Sequence, residues 1–238
     1  MTKRKRSYVM ILSCEHGGNH IPDEYLPWFA SRGAQRDLRS HRGYDPGSLL
    51  MAQQLAQRLQ VQLYFSDVSR LLIELNRSLD SPQLFSKYCH GFTDQMRTAI
   101  IRQFYSPLRA AVQQAVRRSV TRAATAIHIS IHTFTPRFCG RQRNFDVGVL
   151  FDPARQLESE ISQRMIRQLN SNGMRTVANQ PYLGTADGHT TRLRTLYGDT
   201  SYVGIELELN NRIARLGTKT QQRWADRLAE ALTSSLSS

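Results

Sequence analysis

Residues 14–19 combine ionisable side chains with two glycines directly after the first apolar run of the chain. Glu15 and His16 are residue types that bind metal ions or transfer protons. The preceding run, residues 8–13, has strand-forming residues, and the glycine pair ends it. Open α/β sheets place their sites beyond the carboxyl ends of strands. The segment therefore predicts a loop that carries a potential ligand at a sheet edge.

A second pair of histidines lies in residues 127–134, where the sequence alternates strictly and predicts a strand. On a strand, His128 and His132 share a face but lie about 13 Å apart, so one metal ion cannot bind both. His132 stands at the strand end and is the better ligand candidate. We expect His128 to be a polar group that is satisfied inside the fold.

Asp45 has two interpretations. With Pro46 after it, Asp45 fits the N-cap of a helix that has proline at its first position. Apolar residues then repeat at helical spacing from Leu49 to Leu59. The same carboxylate could serve a functional role, and the pattern alone leaves both interpretations open.

Residues 69–78 place two arginines around a short apolar stretch. Arg70 and Glu74 could form a structural ion pair, and Asn76 with Arg77 could cap a turn. Arginine also binds a carboxylate through two parallel hydrogen bonds, each worth about 1.5–3 kcal/mol. The segment therefore also suits recognition of an acidic substrate.

Further polar groups occur late in the chain. Residues 179–189 have the composition of a ligand-binding loop and include Asn179 and Tyr182. The alternating segment that follows places Glu206 and Glu208 on one strand face. Two carboxylates on an interior face are costly unless a metal ion or an arginine meets them.

The elements that position these residues alternate between strands and helices. Strands are predicted at residues 8–13, 61–65, 127–134, 145–151 and 203–209, and helices at 25–30, after Asp45, at 93–121 with a possible bend at Pro107, from Asp152 to Gly173, and at 220–232. This order predicts an α/β fold with a central mostly parallel or mixed sheet. Residues just beyond parallel strands converge, which would bring His16, His132 and Glu208 together near Asn76 and Arg77. Two histidines and a carboxylate form the ligand set of a catalytic zinc ion.

Composition limits the alternatives. The chain has 238 residues, 40% of them hydrophobic, and no apolar stretch reaches the roughly 18 residues of a membrane span. We therefore predict one cytoplasmic domain, residues 1–238, with a disordered start at residues 1–6. The net charge of +13 admits a nucleic-acid partner, but the arginines are spread over the predicted helices, which argues against that role. Three scattered cysteines indicate neither a disulfide framework nor a cysteine zinc site.

Seven blocks in order resemble the N-formylglutamate amidohydrolase (N-formylglutamate deformylase) family and cover nearly the whole chain. They are Cys14-Glu15-His16-Gly17-Gly18-Asn19 with Ile21-Pro22, Tyr44-Asp45-Pro46-Gly47, Ser69-Arg70-Leu71 with Asn76-Arg77, His132-Thr133-Phe134-Thr135-Pro136, Asp146-Val147-Gly148-Val149-Leu150, Asn179 with Pro181-Tyr182, and Glu206-Leu207-Glu208. That family is similar in fold to zinc-dependent exopeptidases and to the aspartoacylase and succinylglutamate desuccinylase group. The resemblance implies a three-layer α/β fold.

The resemblance also implies roles for individual residues. His16 and His132 match the zinc histidines, Asn76 and Arg77 a clamp for the substrate carboxylate, and Glu208 the general base. Arg70 would assist as a second catalytic residue, while Asn179 and Tyr182 would contact the substrate. The implied cofactor is one divalent ion, zinc, and the implied substrate is a small N-acyl amino acid.

Asn19 departs from the related exopeptidase motif, which has a glutamate ligand there. An amide oxygen is a poor substitute for a carboxylate on zinc. Asp45 is our preferred third ligand. The alternatives are Glu15, Asn19 itself, or a site that binds metal weakly. Whether Glu206 or Glu208 is the base also stays open.

The predicted function is metal-dependent hydrolysis of an N-acyl amino acid, with N-formyl-L-glutamate as the expected substrate. Two alternatives are a metal-free hydrolase that uses Cys14 as its nucleophile and a basic α/β module that binds nucleic acid without catalysis.

Overall fold

The apolar segments predicted as strands pair into one sheet in the computed structural model, which describes residues 7–237. The predicted disordered start, residues 1–6, lies outside the described residues. The strands are β1 (Tyr8–Cys14), β2 (Leu63–Phe65), β3 (Thr125–Phe134), β4 (Arg137–Phe138), β5 (Arg141–Gln142), β6 (Val147–Leu150), β7 (Thr176–Ala178) and β8 (Tyr202–Asn210). Six of them form the main sheet in the order β2-β1-β3-β8-β6-β7, and β4 pairs with β5 in a separate ribbon.

Neighbouring strands of the main sheet run parallel except for β6, which is antiparallel to β8. Helices connect them: α1 (Arg32–Leu38), α2 (Ser48–Leu59), α3 (Asp94–Ile100), α4 (Ser106–Thr121), α5 (Gln156–Ser171), α6 (His189–Leu196) and α7 (Thr218–Leu236). Short 3-10 turns occupy Asp23–Phe29, Lys87–Cys89 and Asn211–Arg215. The predicted α/β class with a mostly parallel sheet is confirmed. Among residues 7–237, no helix combines the length and apolarity that crossing a membrane requires.

Helices cover both faces of the sheet. Apolar side chains of α2, α5 and α7 pack with one face of the central strands. The other face meets α4 and α6 through a smaller cluster that includes Val112, Val116 and Leu193. A third apolar cluster fills the irregular region between residues 21 and 108. This layered arrangement leaves the carboxyl ends of β1, β3 and β8 at one edge, where the polar residues collect.

The predicted N-cap role of Asp45 is wrong. Helix α2 begins at Ser48, with Gly47 at its N-cap in a left-handed conformation (φ +88°) that favours glycine. The backbone carbonyl of Asp45 accepts the amide of Ser48 at 3.0 Å, but the carboxylate turns toward the histidines. The position of the carboxylate therefore fits the other interpretation, in which Asp45 has a functional role.

Two helix predictions also need adjustment. The segment predicted as one helix over residues 93–121 contains a π-helical turn at Ile101–Tyr105, immediately before Pro107. Proline has no amide to donate, which loosens the hydrogen-bond pattern of the turn before it. The helix expected to open at Asp152 begins at Gln156, because the Asp152 carboxylate accepts the amide of Ala154 in a turn.

A buried ion pair fastens the loop over the polar edge. Glu158 is fully buried and accepts the amides of Asp152 and Gly204 at 2.7 and 2.9 Å. Its partner Arg194 donates to Glu158 and to the carbonyl of Gly184, at 2.6 Å, and of Gly204, at 2.7 Å. One pair thereby joins α5, α6, β8 and the loop before α6.

Replacing Glu158 with alanine should lower the free energy of unfolding by about 3–5 kcal/mol, because it leaves the Arg194 cation buried without a carboxylate. Chemical denaturation measures this loss. Glu160→Ala on the exposed face of the same helix is the control and should change stability by no more than about 0.5 kcal/mol. Equal stability of the two variants would contradict the role of the pair.

Candidate active site

Two glycines place His16 beyond the end of β1. The amide of Gly17 donates to the carbonyl of Ser66 at 3.1 Å, so the loop lies directly on the segment after β2. A Cβ atom at Gly18 would lie 2.4 Å from the carbonyl oxygen of Asp67, a distance that no larger residue tolerates. Glycine therefore permits the close approach that turns His16 into the interior, where only 2% of its surface is exposed.

His16, Asp45 and His132 bring three donor atoms together. Nδ1 of His16 lies 3.2 Å from Nδ1 of His132 and 3.4 Å from Oδ2 of Asp45, and the remaining pair is 3.0 Å apart. All three residues are buried. Ligands of a tetrahedral zinc ion at about 2.0–2.1 Å are separated from one another by about 3.3 Å. The triangle therefore has the dimensions of three zinc ligands.

Hydrogen bonds on the far side of each ring orient the lone pairs inward. Nε2 of His16 contacts the carboxylate of Glu74, and an ionised carboxylate can only accept a hydrogen bond. Nε2 of His132 lies 2.8 Å from the hydroxyl of Ser130, which donates its own proton to Glu15 at 2.6 Å. Both imidazoles therefore hold a proton on Nε2, and Nδ1 is the nitrogen that is free to bind a metal ion once its own proton is displaced. Such partners on the distal nitrogen are typical of metal-ligating histidines.

The carboxylates around the two histidines favour a positive charge in the cluster. Burial lowers the pKa of His132, but the hydrogen bond and charge of Asp45 outweigh it and raise the pKa to about 10. Burial and the Arg70 cation lower the pKa of His16, yet Glu74 and Asp45 raise it above its usual value. When no metal is bound, protons supply the positive charge that the surrounding carboxylates favour.

The donor geometry distinguishes among the three alternatives for a third ligand. Asp45 lies in the triangle, while both oxygens of Glu15 accept serine hydroxyls on the opposite side of His132. The side chain of Asn19 is exposed and donates to the carbonyl of Leu38 at 3.0 Å. Asp45 is thus the alternative that the structure places with the histidines.

Glu74 is a site residue that the sequence did not single out beyond a possible pair with Arg70. Arg70 donates through Nε and Nη2 to Glu74, at 2.8 and 2.6 Å, and through Nη1 to Asp45 at 3.1 Å. The guanidinium therefore holds both the carboxylate that orients His16 and the carboxylate in the donor triangle. The signal for Glu74 was its four-residue spacing from Arg70.

A cavity of about 200 Å³ opens beside the donor triangle. This volume is below the range of drug-sized pockets and suits a small metabolite. Its walls include His16, Asp45, Arg70, Asn76, Arg77, His132, Leu150, Tyr182, Asp187, Glu206 and Glu208. Eight of the nine predicted site residues, all except Asn179, line this cavity, and so does Glu206, the alternative base.

Asn179 takes another place. Its side-chain oxygen accepts the amides of Phe151 and Gly184, at 3.0 and 3.1 Å, and its backbone has a positive φ of 50°. Because the oxygen is committed to two backbone donors, Asn179 shapes the loop that carries Tyr182 and does not face the cavity. The prediction of Asn179 as a substrate contact does not fit this position.

The two late glutamates differ in their surroundings. Oε1 of Glu206 accepts the hydroxyl of Thr190 at 2.7 Å. Oε2 of Glu208 is buried and has no hydrogen-bond partner among residues 7–237. Burial, opposed by the charge of His132 and reinforced by Asp45 and Glu206, raises the pKa of Glu208 to about 7. A free carboxylate that titrates near neutrality suits a general base.

Two other expectations concern residues outside the cavity. His128 contacts the hydroxyls of Ser13 and Tyr202 at 2.8 and 2.9 Å, which confirms it as a satisfied interior group. Cys14 is fully buried among core residues, and burial raises the pKa of its thiol far above the usual range. A nucleophilic role for Cys14 is therefore incompatible with its environment.

Comparisons with known proteins agree with this geometry. The model of the N-formylglutamate amidohydrolase family matches residues 8–215. Comparison with curated proteins gives no match. A gene product from Agrobacterium tumefaciens has a solved structure with a TM-score of 0.81 and 25% sequence identity, covering 96% of this chain and 90% of that chain. An N-formylglutamate amidohydrolase from Ralstonia eutropha JMP134 has a TM-score of 0.69 and 15% identity, covering 97% and 93%.

The second of these structures shares the fold, and the family match spans most of the described chain. The resemblance inferred from the seven sequence blocks is confirmed. The chain belongs to the N-formylglutamate amidohydrolase family, whose members are hydrolases that act on amide bonds.

Proposed function

We propose that this protein hydrolyses N-formyl-L-glutamate to formate and L-glutamate in the cytoplasm, with one zinc ion bound by His16, Asp45 and His132. The observation that carries the proposal is the triangle of inward-facing donors beside a small cavity, in a chain of this family. Two histidines and one carboxylate leave a fourth position open, as in catalytic zinc sites. A zinc ion held by these three residues would lower the pKa of a bound water molecule to about 7 and would polarise the formyl carbonyl.

Glu208 acts as the general base in this proposal. Glu208 lines the cavity, one of its oxygens has no hydrogen-bond partner among residues 7–237, and β3 pairs with β8 so that Glu208 is opposite His132. The carboxylate takes a proton from the attacking water and delivers it to the amine nitrogen as the amide bond breaks. One group can perform both transfers because its pKa is near neutrality.

Arg77 and Asn76 bind a carboxylate of the substrate. Both line the cavity, and the guanidinium of Arg77 contacts the backbone carbonyl of Asp187, which aims it along the wall. The Asn76 side-chain oxygen accepts the amide of His189 at 2.8 Å, and its amide nitrogen lies on the site side, 3.5 Å from Nε2 of His132. Tyr182 lines the cavity from the loop before α6.

Arg70 contributes by holding the site together. Three of its five N–H groups bind Glu74 and Asp45, the other two have no hydrogen-bond partner among residues 7–237, and Arg70 lines the cavity. Those two can donate to the carbonyl oxygen as negative charge develops on it, which is the role of an oxyanion donor.

Zinc binding should release protons. Because the pKa of His132 is raised to about 10 and that of His16 is also raised, the metal-free site holds protons at about pH 8, and a metal ion must displace them. Calorimetric titration in buffers of different ionisation enthalpy should show release of at least about one proton. Chelation should abolish formate production, and added zinc should restore it. Buffer-independent heats would contradict the assignment of these ligands.

Glu208→Gln should lower kcat by about 10²–10⁴ while zinc binding persists, because the variant keeps the shape but cannot accept a proton. Glu206→Gln is the comparison and should lose less activity, since Glu206 is hydrogen-bonded to Thr190. With the pKa of Glu208 raised to about 7, the carboxylate is protonated below that pH, so wild-type activity should fall there. A larger loss in Glu206→Gln would transfer the role of base to Glu206.

Arg77→Met should raise KM for N-formyl-L-glutamate by about 10- to 150-fold, the loss of one charged hydrogen-bonded contact of about 1.5–3 kcal/mol. The steady-state release of formate measures KM and kcat separately. Arg192→Met, an exposed position on α6 outside the cavity wall, is the control. An unchanged KM in Arg77→Met would show that Arg77 does not bind the substrate carboxylate.

A further inference from the structure

Glu15 is a buried carboxylate that the proposed reaction does not use. It lies immediately before His16 but has no exposed surface. Its two oxygens accept the hydroxyls of Ser13 and Ser130, at 2.7 and 2.6 Å. A buried charge is costly unless hydrogen bonds compensate it, so the burial of Glu15 carries a considerable desolvation free energy.

The two serines contact different histidines. The Ser130 hydroxyl lies 2.8 Å from Nε2 of His132, and the Ser13 hydroxyl lies 2.8 Å from Nε2 of His128. Only His132 presents its other nitrogen to the donor triangle. The Nδ1 atom of His128 instead meets the hydroxyl of Tyr202 at 2.9 Å.

The direction of each hydrogen bond follows from the carboxylate. A serine hydroxyl has one proton, and an ionised carboxylate can only accept. Ser130 therefore donates to Glu15 and must accept from Nε2–H of His132. This chain of hydrogen bonds keeps a proton on Nε2 of His132, so Nδ1, which lies 3.0 Å from Asp45, is the nitrogen that gives up its proton when a metal ion binds.

We infer that Glu15 is a positioning residue for the metal site, acting through Ser130 to fix the tautomer and ring orientation of His132. Glu74 holds His16 directly, whereas Glu15 holds His132 through a hydroxyl relay. The inference rests on the proposed zinc site and adds to it the group that prepares one ligand. Partners of this kind typically change metal affinity by about 10- to 100-fold when they are removed.

Ser130→Ala tests the relay against a matched control, Ser13→Ala. Each variant removes one hydroxyl that contacts both Glu15 and a buried histidine nitrogen. Both serines are at most 1% exposed. Competition with a chromophoric chelator measures the zinc dissociation constant of each folded protein. We expect Ser130→Ala to bind zinc about 10- to 100-fold more weakly and Ser13→Ala to stay within about 2-fold of wild type.

Ser130→Thr keeps the hydroxyl and should retain zinc affinity, while Glu15→Gln should weaken it as Ser130→Ala does. Thermal unfolding without metal checks that the two serine variants are folded to a similar degree. Wild-type zinc affinity in Ser130→Ala, or equal losses in Ser130→Ala and Ser13→Ala, would overturn the inference. Absence of zinc binding by the wild type would instead overturn the proposed function on which it rests.

Discussion

Three lone pairs directed at one another are the constraint on which the site depends. The Nδ1 atoms of His16 and His132 and an oxygen of Asp45 lie within 3.4 Å of each other in a region closed to bulk water. Acceptors at that distance repel unless a cation lies between them, and repulsion is strong at low dielectric. A metal ion or the protons retained by the two histidines must therefore be present for the three groups to lie so close.

Each donor is held from behind by a different partner. Glu74 holds His16, the relay from Glu15 holds His132, and Arg70 holds Asp45. The Arg70 guanidinium also neutralises Glu74, so one cation compensates two buried carboxylates. Removing one partner of a buried ion pair destabilises a protein more than replacing both partners, because it leaves an uncompensated charge. The ionisable residues around the donor triangle therefore stabilise one another only as a complete set.

The sequence predicted the elements better than the contacts. Alternation located β3 and β8 because strand periodicity is a local property, and the strand-end rule correctly grouped His16, His132 and Glu208. Asp45 remained ambiguous because a cap and a ligand look alike in the sequence; only the position of Gly47 at the start of α2 separates them. The role of Asn179 was missed because its side-chain oxygen accepts hydrogen bonds from the backbone amides of Phe151 and Gly184, and local sequence does not reveal such contacts.

The apolar core sets the geometry of the polar site. On the central strands, residues such as Ile129, Ile131, Leu207 and Leu209 pack under the helices of one face, while the alternate residues Ser130, His132, Glu206 and Glu208 face the other. A shift of one residue would exchange the two sets. Each large apolar side chain moved into water would cost about 1.5–3 kcal/mol, and the glutamates would enter the core. Packing on one face of the sheet therefore enforces the register that keeps Glu208 opposite His132, so the position of the proposed base relative to a proposed metal ligand is determined by apolar side chains on the opposite face of the sheet.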